Sequence, residues 1–73
     1  MMMKYEVSKL RDTIFDNIDY LSTEYQPTND ILSQLNRMIN WDSSHSLIFQ
    51  WWVKNEDSIN TINELLEKIE SNI

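Results

Sequence analysis

Apolar residues recur at spacings of three and four from the start of the chain, at Met3, Val7, Leu10, Ile14, Ile18, Leu21 and Tyr25. That period puts them on one stripe of a helix and predicts an amphipathic α-helix over residues 3–25. Its charges run against the helix dipole, with Lys4, Lys9 and Arg11 early and Asp19 and Glu24 late, so packing has to hold it. Pro27 ends the pattern, because proline disfavours helical geometry at Gln26 and has no N–H of its own. Thr28, Asn29 or Asp30 then caps a second helix over 29–41, with Ile31 or Leu32, Leu35, Met38 and Ile39 facing inward.

Residues 41–53, WDSSHSLIFQWWV, break this regularity and hold all three tryptophans and the single histidine. Asp42 to Ser46 are capping residue types, so a third helix starts near Ser44. Six of the seven residues in LIFQWWV are apolar, which also fits a buried strand, but a lone strand has nothing to pair with in this chain. On a helix the apolar residues 47–49 and 51–53 cover about 240° of the circumference, wider than one core face. The adjacent Trp51 and Trp52 point about 100° apart and do not fill one pocket. Either the segment is covered on several sides or it leaves an aromatic patch in solvent.

From Ile48 a 4-3 spacing runs through Trp52, Asn55, Ile59, Ile62, Leu66, Ile69 and Ile73. An unbroken helix over 44–72 makes this a coiled-coil-like seam: Asn55, Ile59, Ile62, Leu66 and Ile69 would face a second copy, with Asn55 fixing the register of a homodimer. A break at 54–58, with Asp57 or Ser58 capping a fourth helix, is the alternative, and no proline or glycine selects between them. The expected fold is all-α, a small three- or four-helix bundle forming one domain over residues 1–73.

Composition narrows what such a bundle does. A core in a chain of 73 residues contributes only about 3 to 5 kcal/mol of net stability, and with no cysteine and one histidine neither a disulfide nor an ordinary zinc site is expected to add to it. No cofactor is expected: without glycine, phosphate-cradling loops and primed hairpin turns are hard to build. A formal charge of −6 disfavours phosphate backbones and anionic lipid and favours a basic partner. No run approaches the roughly 18 apolar residues of a membrane span, and MMMKYEVSK lacks a signal-peptide core, so a cytoplasmic protein of a bacterium or host cell is expected, with no membrane contact.

Three groups of residues carry candidate chemistry. Asp12, Asp16 and Asp19 fall within about 60° of one another on a continuous helix, opposite the apolar stripe, either as a solvated face or as carboxylates imitating a nucleic-acid backbone. Asp42, Ser43, Ser44, His45 and Ser46 contain the residue types of a hydrolase triad, but as sequence neighbours at a helix start they have no cleft or oxyanion hole, so no catalytic residue is assigned. Phe49, Trp51 and Trp52 are the residue types of an interface hot spot as well as of a core.

The order helix, turn, helix over 29–54 has the outline of a DNA-reading motif, yet its second helix offers only Gln50, Lys54 and His45 to base edges. Leu10-Arg11 and Ser33-Gln34-Leu35 resemble part of the helical-hairpin aspartyl-phosphate phosphatases of sporulation regulation. That family has Leu-Asp one residue after Ser-Gln; here the intervening residue is missing and Asn36 replaces the aspartate, so no residue role carries over.

These features together suggest a small acidic, non-enzymatic inhibitor or regulator that binds another protein, plausibly a nucleic-acid-binding one with a basic surface. Phage or mobile-element counter-defence proteins and antitoxins are comparable in size and charge. The alternative is a homodimeric oligomerisation module built on the C-terminal seam, and a helix-turn-helix regulator ranks third.

Overall fold

The computed structural model describes residues 4–71, which form five helices: α1 (Lys4–Asp16), α2 (Ile18–Glu24), α3 (Thr28–Asn40), α4 (His45–Lys54) and α5 (Glu56–Ser71). The expected all-α class holds, but the helix count of three or four is corrected to five. The predicted first helix is two helices divided at Asn17; of the two readings of residues 44–72, the unbroken helix is overturned and the break at 54–58 is what the structure has, at Asn55 rather than at a cap on Asp57 or Ser58. Met3 and Ile73, the outermost positions of the two apolar series, lie outside the described residues.

Both divisions have a local cause. At Asn17 the backbone leaves helical geometry at φ −121°, ψ 24°. Its N–H reaches Ile14 O at 3.1 Å, and its side-chain Nδ2 donates to Thr13 O at 2.9 Å. At Asn55 the angles are φ −108°, ψ 19°, and Nδ2 donates to Trp51 O at 2.9 Å. A short amide that supplies its own donor to the preceding turn competes with the backbone ladder, which is why asparagine is a weak helix former.

The turn at Tyr25–Pro27 folds α3 back along α1 and α2, as a short connection between helices requires. The expected side-chain cap at residues 28–30 is not used. Pro27 occupies the cap position; the Thr28 and Asn29 N–H groups are met by Tyr25 O and Gln26 O, at 3.0 and 3.4 Å. Thr28 is instead buried, and its hydroxyl donates to Leu21 O at 3.3 Å. Two further bonds fix the bundle: Arg11 Nη1 donates to Asn36 Oδ1 at 2.9 Å, joining α1 to α3, and the Tyr25 hydroxyl shares a hydrogen bond with Ser58 Oγ at 2.9 Å, tying this turn to α5.

At the end of α3, Asp42 N donates to Ile39 O at 3.2 Å and Ser43 N to Met38 O at 3.1 Å, the paired bonds of a Schellman ending. Its left-handed position, usually glycine, is held here by Asp42 at φ 49°. Asp42 therefore ends α3, while Ser44 starts α4, its Oγ accepting from Leu47 N at 3.3 Å.

The core is Val7, Leu10, Ile14 and Leu21 from α1 and α2, Ile31 and Leu35 from α3, and Ile48, Ile59 and Ile62 from α4 and α5. Every one of these lies on the apolar spacings of the sequence. Half-buried Ile18, Tyr20, Tyr25, Leu32, Met38, Ile39, Trp51, Trp52, Leu65 and Leu66 pack against it.

Candidate functional site

The unusual segment divides its aromatic residues between core and solvent. Ile48 is buried beneath α4, and Trp51 and Trp52 flank it, half-buried. As adjacency on a helix requires, they diverge: Trp51 Nε1 donates to Gln34 Oε1 on α3, while Trp52 lies with Leu10 and Thr13 of α1 and Asn63 and Leu66 of α5. The two rings keep an edge-to-face relation, with centroids 6.2 Å apart and planes at 74°.

The uncovered tryptophan is Trp41, 79% exposed, directly after α3. On α4, Phe49 is 54% and Val53 52% exposed, and their i, i+4 spacing stacks them on one flank. Leu47, 57% exposed, lies on the other flank. Helix α4 holds no acidic residue, and its one formal charge is Lys54. Phe49 and Val53 thus form an apolar ridge on a helix that carries no carboxylate of its own, with Trp41 exposed at the corner before it.

Of the three aromatic residues proposed for the interface, only Phe49 is mainly in solvent. Trp51 and Trp52 each keep a partial surface, and Trp41, a stronger apolar exposure than either, lies outside the expected interface set. Its position after the last inward residue of a helix is the signal that marks it. Asp12, Asp16 and Asp19 are all exposed, but the row expected on one continuous helix is corrected: the division at Asn17 puts Asp19 on α2, apart from Asp12 and Asp16 on α1. Asp12 is also paired with Arg11, Nε to Oδ1 at 2.7 Å.

Along the expected seam, Ile59 and Ile62 are buried in the chain's own bundle, and Asn55, Leu66 and Ile69 are half-buried. His45, Gln50 and Lys54 are exposed on α4. Among the described residues no group of three or more His, Cys, Asp or Glu side chains could hold a metal ion, and no helix is long and apolar enough to cross a membrane.

A second feature was not visible in the sequence. Helix α1 packs mainly on α3, whereas α5 packs on α2, α3 and α4, and a groove remains between α1 and α5. It consists of two hollows of about 420 and 220 Å³ that share Lys9, Thr13, Asn63 and Leu66. The apolar surface in it comes from Leu10, Trp52, Leu66 and Ile69, and the charged rim from Glu6, Lys9, Glu67 and Glu70.

Comparison with protein-family models, with curated proteins and with solved structures finds no match to this chain. What can be said of its function rests on the surface itself.

Proposed function

We propose that this chain is a small acidic, non-enzymatic protein-binding module that acts as an inhibitor or regulator of a protein with a basic surface. The observation that carries the reading is the solvent exposure of Trp41, Phe49 and Val53 at and after the α3–α4 corner. Large apolar side chains left in solvent gain when a partner covers them, and tryptophan is among the residues that dominate binding energy when so covered. The chain's net charge of −6 adds long-range attraction to a basic partner and repulsion from DNA and anionic lipid.

Imitation of a nucleic-acid backbone is the more specific form of this reading, and the kink at Asn17 leaves it resting on Asp12 and Asp16 with Asp19 displaced to the next helix. A DNA-reading role for α4 has less support, because Lys54 is its one cation and Glu56 and Asp57 follow directly. Counter-defence or antitoxin-like action against a nucleic-acid-binding protein is the corresponding cellular setting.

The test is affinity capture from a host lysate with the wild-type chain, a Trp41→Ser/Phe49→Ser/Val53→Ser variant and an Asp12→Lys/Asp16→Lys/Asp19→Lys variant side by side. The reading expects one protein retained by the wild type and lost from the apolar variant, with the charge variant shifting the salt concentration at which it elutes. Identical captures from all three overturn it, and an unchanged salt dependence removes the mimicry component.

A further inference from the structure

We infer that the groove between α1 and α5 is the seat of a basic amphipathic helix supplied by the partner. This rests on the reading of the chain as a protein-binding module and adds where, and by what element, the partner is held.

The dimensions suit a helix. From Glu6 in α1 to Asn17 just past its end the wall runs about 16 Å at 1.5 Å per residue, which accommodates three turns. Leu10 and Trp52 toward one end, Leu66 between the two hollows and Ile69 toward the other end give apolar surface along that length. This is the layout that an i, i+3/i+4, i+7 row of apolar anchors reads. The groove also adjoins the exposed ridge, since Phe49 lies one helical turn before Trp52 on the same side of α4.

The rim sets the sign of the occupant. Glu6, Glu67 and Glu70 supply three carboxylates against the single ammonium of Lys9, and among the described residues none of these four enters an ion pair. Basic side chains flanking the apolar row of a bound helix would meet those carboxylates. A second copy of this chain would bring another −6 of charge to the same acidic rim, and a nucleic acid or anionic membrane has the wrong sign altogether.

The probe is a leucine/lysine amphipathic peptide of roughly fourteen residues, about four turns, with its leucine/glutamate counterpart as control. Both are titrated at low salt into the full-length, isotope-labelled chain. The expected result is binding of the lysine peptide alone, with amide shifts concentrated at Thr13, Asn63 and Leu66 and at the Trp52 indole. Glu67→Lys/Glu70→Lys should weaken it by about tenfold or more, while Glu24→Lys/Asp30→Lys, the same change in net charge away from the groove, leaves it within about twofold. Glu67→Gln/Glu70→Gln serves if the lysine variant loses helicity.

Absence of binding overturns the assignment, as do shifts centred on Leu47 and Gln50 or equal weakening by both charge variants. Any of these, beside a lysate partner still captured through Trp41, Phe49 and Val53, overturns the groove alone and leaves the protein-binding reading standing.

Discussion

Asn17 and Asn55 divide the two long helical segments by the same device. In each, the side-chain amide donates to the carbonyl four residues back, to Thr13 at 2.9 Å and to Trp51 at 2.9 Å. In each, the asparagine carbonyl accepts the first bond of the next helix, from Leu21 N at 3.0 Å and from Ile59 N at 3.0 Å. Because neither residue is in helical geometry, alanine at these positions gains none of its usual helix propensity unless the bundle repacks. Asn17→Ala and Asn55→Ala are each expected to cost about 1 kcal/mol, and the double variant close to the sum. Urea denaturation followed by far-UV circular dichroism checks both values.

The bond from Trp51 Nε1 to Gln34 Oε1 anchors α4 to α3. Gln34→Leu keeps apolar contact with the ring and leaves the half-buried indole N–H without its acceptor, at an expected cost of about 1 to 2 kcal/mol. A denaturation midpoint unchanged from wild type would show that water replaces the glutamine at no cost.

Core and surface apolar residues should differ sharply. Leu35 is wholly buried, and Leu35→Ala is expected to cost about 2 to 5 kcal/mol, comparable to the whole stability of a domain this small. Phe15 is 64% exposed, and Phe15→Ala should stay within about 0.5 kcal/mol of wild type. Thermal unfolding of the two variants makes the comparison directly.

The three tryptophans should be separable in solution. Trp41 is expected to dominate quenching by acrylamide, and Trp41→Phe should remove the red-shifted, most quenchable part of the emission without lowering the unfolding midpoint. If quenching is instead lost in Trp52→Phe, the groove is more open and Trp41 better covered than the structure has them.

The amino-acid sequence by itself determined the helical class and the inward face of nearly every helix. Val7, Leu10, Ile14, Leu21, Ile31, Leu35, Ile48, Ile59 and Ile62 are all core, and all lie on spacings of three and four. Periodicity is a local property, written in the order of residues, and needs no knowledge of neighbours. The divergence of Trp51 and Trp52 follows from the same geometry.

The sequence offered a break at 54–58 but none at Asn17, and tertiary structure decided that both asparagines divide their helices and which aromatic residues stay in water. Asn36, Asn60 and Asn63 sit inside unbroken helices, so asparagine does not break a helix merely by being present. Asn36 spends its side-chain oxygen on Arg11 across the bundle, whereas Asn17 and Asn55 turn their amides back on their own helices. The exposure of Trp41 and the groove between α1 and α5 likewise arise from how α4 and α5 settle on the other three helices. That packing is a sum over residues far apart in sequence, and no local pattern contains it.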